Sequence, residues 1–112
     1  MSAHGSVRLA RLGPPVTEIM LIGEIDLDVI PSARDLIGQV REAECPIHLY
    51  AHDLTFIDAS GLRAVNELAG GNGRRAVLFY PPPVLRFLLS VTRLDQSFDV
   101  VTEADQQLHT PG

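Results

Sequence analysis

The chain has no lysine; all nine of its basic residues are arginine. That absence excludes a P-loop lysine, Schiff-base chemistry and a lysine nucleophile. Cysteine is almost missing as well. Cys45 stands alone, so neither an intrachain disulfide nor a thiolate zinc cluster can form. With no charge partner standing out in the sequence, it reads as an inert packed thiol. Long hydrophobic runs are also lacking. The longest uncharged apolar-rich stretch, Ala76 to Leu85, holds three prolines and falls short of the about 20 apolar residues that a membrane-spanning helix needs. Met1 to Gly13 lacks the apolar segment of a signal peptide, which predicts a cytoplasmic protein with no membrane insertion. Basic excess is absent too: nine bases against fourteen acids give a net charge of −5. Nucleic acid is therefore not an expected partner, because phosphate neutralisation dominates that affinity. There is no internal repeat and no low-complexity block.

What remains is an ordinary globular composition, 46% hydrophobic and 21% charged over 112 residues. A chain of this length buries about 65% of the surface its unfolded form exposes, enough for one core. The expectation is a single domain over 1–112, with its core at about 7–103 and a flexible tail at 104–112. Ser2 to Ser6 and Gln106 to Gly112, small or polar, are expected to fray.

Apolar periodicity alternates between strand-like and helix-like. Val7 to Leu12 alternates loosely, and Gly13-Pro14-Pro15 separates it from Thr17 to Ile25, a nearly continuous apolar run that reads as a buried strand. Val29, Ile30, Ala33, Ile37 and Val40 recur at helical spacing. Asp28 is the candidate N-cap, Pro31 falls in the first turn, and Pro46 ends the region. Ile47 to Ala51 reads as a third strand, with Thr55 to Ile57 leading out of it. Leu62, Val65, Leu68 and Ala69 mark a second helix, closed by the C-cap turn Gly70-Gly71-Asn72-Gly73. Ala76 to Tyr80 is a fourth strand; Val84, Leu85, Leu88, Val91 and Leu94 form a third helix behind Pro81-Pro82-Pro83; Phe98 to Val101 is the last strand. The order β-β-α-β-α-β-α-β predicts a mixed sheet with packed helices.

The segment richest in chemistry is Asp58-Ala59-Ser60-Gly61-Leu62, where a strand gives way to a helix. Spacing leaves two readings open. A Ser or Asp there can be the N-cap, accepting one of the orphan backbone N–H bonds. Alternatively, an exposed hydroxyl at the positive end of a helix dipole is a natural place for a phosphoryl group, with Gly61 leaving room beside it. A hydrolase elbow, Gly-x-Ser-x-Gly, fails at Asp58 and at Leu62, and His48 and His52 have no spacing tie to Ser60. As a metal pair those histidines lie roughly 13 Å apart along a strand. Glu24, Asp26 and Asp28 read as a solvated loop with a helix cap. Arg74-Arg75 is too short for a nucleic-acid patch and reads as a solubilising start to a strand.

With these motifs in place, the chain from Val16 to Glu103 resembles the STAS domain, and within it the bacterial anti-sigma factor antagonists. Gly23-Glu24-Ile25-Asp26 ends the second strand as in the family, with Pro31 following. Asp58-Ala59-Ser60-Gly61-Leu62 looks like the family's phosphorylation motif, with Ser60 at the acceptor position. Pro82 through Phe98 is similar to the family's third helix and the approach to the last strand. The resemblance implies an α/β fold, a small mixed β-sheet with helices packed on one face.

It also implies a non-catalytic module without cofactor or metal. Such a module sequesters an anti-sigma factor, a GHKL-type serine kinase, while Ser60 is unphosphorylated. It releases that partner on phosphorylation and is reset by a metal-dependent Ser/Thr phosphatase. The implied partner surface comprises Asp26, Asp58, Ala59, Ser60, Gly61, Leu62 and Arg63. The alternative is a STAS subunit or scaffold of a larger assembly, a lipid transporter or stressosome-like, with no phosphorylation switch and Ser60 merely a cap. An enzyme ranks below both. Two departures from the family pattern stand out: the second helix is short, and Arg93 stands where the family commonly has glycine.

Overall fold

A computed structural model of the chain describes residues 5–70 and 75–102. The expectations for Gly71-Asn72-Gly73, for Arg74 and for the tail 104–112 lie outside these residues. β1 (Ser6–Arg11) and β2 (Thr17–Ile25) form an antiparallel pair across the Gly13-Pro14-Pro15 segment. β3 (Ile47–Ile57), β4 (Ala76–Phe79) and β5 (Phe98–Val101) then add in parallel, giving a five-stranded mixed sheet in the order β1-β2-β3-β4-β5. The helices α1 (Ile30–Ala43), α2 (Ala59–Leu68) and α3 (Pro83–Thr92) each connect one parallel strand to the next.

Alternation along the strands decides which face the helices cover. Ile19, Leu21, Leu49, Leu78 and Phe98 lie in one core with Val40 of α1, Leu62, Val65 and Leu68 of α2, and Leu85 and Leu89 of α3. All three helices therefore pack on one face of the sheet, as right-handed crossovers between sequentially ordered strands require. On the opposite face Glu18, Met20, Ile22, His48, Tyr50, Val77 and Phe79 are only half-buried. Among the described residues no helix is long and apolar enough to cross a membrane.

Five local expectations change. Asp28 is not the cap of the first helix. Asp26 caps a 3₁₀ turn, Leu27–Val29, and α1 begins behind it at Ile30 with no side-chain cap. β3 does not stop at Ala51. It runs to Ile57 because β2 is long enough to pair with it as far as Glu24 with Phe56 and Ile25 with Ile57. Leu94 is not part of α3. Arg93, at φ 61°, ends the helix, and Leu94 opens a 3₁₀ turn, Leu94–Ser97. Ser6 is not frayed but starts β1, paired with Ile22. Arg75 does more than solubilise a strand start: it pairs with Asp99 at 2.9 Å and donates to the Gln96 and Phe98 carbonyls, tying the chain ahead of β4 to β5.

Candidate partner-binding site at the start of α2

β2 and β3 end on the paired residues Ile25 and Ile57. Asp26 and Asp58 follow directly, so they leave the sheet side by side, and the Asp58 N–H donates to the Ile25 carbonyl at 3.3 Å. Each aspartate then opens a helical turn from an extended backbone. Asp26 Oδ1 accepts from the Asp28 N–H at 3.0 Å, and Asp58 Oδ1 accepts from the Gly61 N–H at 2.8 Å. The Asp58 carbonyl accepts from the Leu62 N–H at 2.9 Å. Both satisfy orphan N–H groups that a helix start exposes.

This settles which residue caps α2. Asp58 does, and Ser60 is the second residue of the helix, half-buried. Among the described residues the Ser60 hydroxyl has no hydrogen-bond partner. Ala59 and Arg63 are exposed beside it, Arg63 one turn on. The hydroxyl thus stands at the positive end of a ten-residue helix without a structural task.

Two residues expected in the partner surface point inward instead. Leu62 is 1% exposed and belongs to the core. Gly61 is buried, and a Cβ there would run into the Ile25 carbonyl oxygen and its carbon. Glycine at 61 is therefore what lets α2 start against the end of β2; it is not there to clear space beside Ser60. Asp26, half-buried, presents one carboxylate oxygen to its own turn.

The structure also brings up residues that periodicity passed over. Leu27 is 64% exposed and Phe56 46% exposed. Leu27 sits in the 3₁₀ turn that touches α2, and Phe56 lies two residues before Asp58. The signal was present: Leu27 is an apolar residue between two aspartates, and Phe56 neighbours Ile57 out of alternation. On the other side of α2 an open groove of about 420 Å³ is lined by Ala59, Arg63, Asn66, Glu67, Thr92 and Leu94. Its far wall comes from Thr92 at the end of α3 and Leu94 in the 3₁₀ turn behind it, which no sequence spacing connects to Ser60.

The histidines are placed elsewhere. His48 lies across the sheet from Glu18 and Val77, its ring 5.1 Å from that of Phe79, and His52 is 3.4 Å from Asp53. Glu24, Asp26 and Asp28 border a shallow hollow of about 170 Å³ with Gly5 and Val29. Among the described residues no three His, Cys, Asp or Glu side chains converge as metal ligands would.

No protein-family model matches the chain, and no curated protein matches it in sequence. Solved structures do match. An anti-sigma factor antagonist from Mycobacterium paratuberculosis superposes with a TM-score of 0.73 at 19% identity, covering 96% of this chain and 97% of that one. The anti-sigma factor antagonist SpoIIAA in its unphosphorylated form gives 0.62 at 22% identity, over 94% of this chain and 99% of that one. The Bacillus cell fate determinant SpoIIAA in its phosphorylated form gives 0.64 at 22% identity with the same coverage. Superposition over nearly the full length of both chains in each pair gives the fold: the chain has the STAS fold of these anti-sigma factor antagonists.

Proposed function

We propose that the protein is an anti-sigma factor antagonist, a non-catalytic binding module switched by phosphate on Ser60. The observation that carries this reading is the division of labour at the start of α2. Asp58 holds the cap, which leaves a serine hydroxyl unbonded beside the first-turn N–H groups of a helix. The likeness to SpoIIAA, a protein solved with and without phosphate, supports it.

In the dephospho form the exposed Ala59, Leu27 and Phe56 and the neighbouring α2 groove receive an anti-sigma factor of the GHKL serine-kinase type. That partner transfers a phosphoryl group to Ser60, and a metal-dependent Ser/Thr phosphatase removes it. Phosphorylation adds about −1.5 to −2 charges. Once an interface closes over Ser60, that charge must be desolvated against a surface shaped for a hydroxyl. A penalty of about 3 to 4 kcal/mol weakens binding by two to three decades.

The test is a pull-down from native lysate with wild type, Ser60→Ala and Ser60→Asp, followed by titration against the captured kinase. Wild type and Ser60→Ala are expected to bind and Ser60→Asp to fail. After incubation with that kinase and ATP, mass spectrometry should find stoichiometric phosphate on Ser60 in wild type and none in Ser60→Ala. Equal binding by Ser60→Asp, or no phosphate on Ser60, overturns the switch and favours the scaffold reading.

A further inference from the structure

On the reading that an anti-sigma factor sits in the groove beside α2, we infer that Arg75 is a positioning residue for that groove. It fixes the wall that faces α2 without lining the groove itself. The two walls are held very differently. α2 is a ten-residue helix with a capped start, and Leu62, Val65 and Leu68 anchor it in the core. The facing wall is Thr92, the last residue of α3, and Leu94, the first residue of the 3₁₀ turn Leu94–Ser97.

That turn has little of its own to hold it. Arg93 leads into it at φ 61°, a conformation that an L side chain adopts at a cost. The turn has no side-chain cap and no fully buried residue; Leu94 packs half-buried against the core. Short 3₁₀ segments also have poorer hydrogen-bond geometry than an α-helix. A segment with few buried contacts opens locally well below the free energy of global unfolding.

Arg75 fastens the far end of the turn. Its guanidinium donates through Nη1 to the Gln96 carbonyl, through Nη2 to the Phe98 carbonyl at 3.2 Å, and through Nε to Asp99 Oδ1 at 2.9 Å. The Gln96 carbonyl lies in the last turn of a helical segment, where carbonyls have no partner within the segment and a cation is favoured. The planar fork lets one side chain span three acceptors, which a compact ammonium cannot do. The ion pair with Asp99 is more than half exposed on both sides and adds little. The two carbonyl bonds carry the positioning.

Arg75 borders a separate hollow with Glu44, Cys45 and Pro46, so its effect on a partner runs through the turn. With the clasp closed, Leu94 stays at one distance from α2 and the groove is preformed. With the clasp lost, the turn samples open forms, and apparent affinity falls by the fraction of chains that remain closed. Ser60, on α2, keeps its cap neighbour and its helix start in either case.

Hydrogen exchange on the full chain reads the turn, and titration with the kinase that wild type captures from native lysate reads the groove. In Arg75→Gln the amides of 94–97 are expected to exchange about tenfold faster or more, while those of α2 keep their rates. Affinity of the unphosphorylated chain for the kinase should fall about tenfold. Phosphorylation of Ser60 at saturating kinase should stay within about twofold of wild type, because the acceptor is undisturbed. Arg75→Lys, which keeps the charge and loses the fork, should fall between the two and decides the case if Arg75→Gln does not fold. Asp99→Asn should stay within about threefold of wild type in affinity. Unchanged affinity in Arg75→Gln, lost affinity with unchanged exchange at 94–97, faster exchange throughout the chain, or an equal loss in Asp99→Asn overturns the proposal and leaves the Ser60 switch standing. Equal binding by Ser60→Asp overturns the switch and leaves the effect of Arg75 on affinity measurable; a wild type that captures no kinase overturns both.

Discussion

Asp58 and Ser60 stand two residues apart at a helix start, and by residue type either can serve as the cap. The aspartate precedes the first helical residue, where an extended backbone aims its carboxylate at the Gly61 N–H. Ser60 already has helical geometry and cannot turn back. Asp58→Ala should therefore lower stability by about 0.5–2 kcal/mol, while Ser60→Ala should stay within about 0.5 kcal/mol. Urea denaturation of both variants checks this, and equal losses would give the serine a structural role. Spacing could locate this site but not divide its labour, because capping depends on backbone angles. For the same reason Gly61 and Leu62 look like part of an exposed motif in the sequence, although packing turns both inward. A second residue-scale effect concerns Tyr50. Partial burial, then its hydrogen bond to Glu18 and the negative charges of Glu18 and Tyr80, raise its pKa above the usual 10.0. The folded state thus keeps the phenol proton longer than the unfolded chain does. This contribution is fully present below pH 10 and is lost as pH rises through the folded-state value. Tyr50→Phe should flatten that alkaline loss of stability, measured as denaturation midpoints across the alkaline range; an unchanged slope would assign the loss to other groups.

The elements show where apolar periodicity suffices and where it does not. Each strand and helix was legible in order, because a two-sided sheet and one-sided helices impose periods that buried side chains must follow. The ends were less so. β3 continues through His52, Asp53 and Thr55 because ladder bonds to β2 hold it, and register shifts at Met20/Ile22 and Gly23/Glu24 break the alternation there. The start of α1 was misread because Asp26 spends its carboxylate on a 3₁₀ turn. The end of α3 turns on Arg93. A residue in the left-handed region is needed to stop the helix there, and an arginine at φ 61° adopts it at a steric disadvantage that glycine does not have. Arginine in place of glycine at this position thus leaves the helix end where it is and weakens it. Arg93→Gly is expected to stabilise the protein by about 0.5–1 kcal/mol, read as a higher melting temperature with unchanged far-UV circular dichroism. A lower melting temperature would mean that the Arg93 side chain holds something the backbone argument omits.

For the whole molecule the question is whether phosphate at Ser60 acts on the fold or on its surface. The net charge would move from −5 to about −7, a modest increase in self-repulsion for a domain of this size. Locally the N-terminus of α2 favours the added charge by about 0.3 to 2 kcal/mol, and the exposed Arg63 stands one turn away. Asp58 opposes it, by about 1 kcal/mol for unit charges a few ångströms apart in water. These terms nearly cancel, and none reaches the core, whose helix and strand residues lie on the inner side of α2. Enzymatically phosphorylated protein should therefore melt within roughly 5 °C of the unmodified form and keep its far-UV spectrum. High salt should shrink what difference there is, because exposed charges are screened. A fall of more than about 10 °C would mean that phosphate frays the start of α2. Release of a partner would then follow from local unfolding, and the desolvation of a charge at an intact surface would no longer explain the switch.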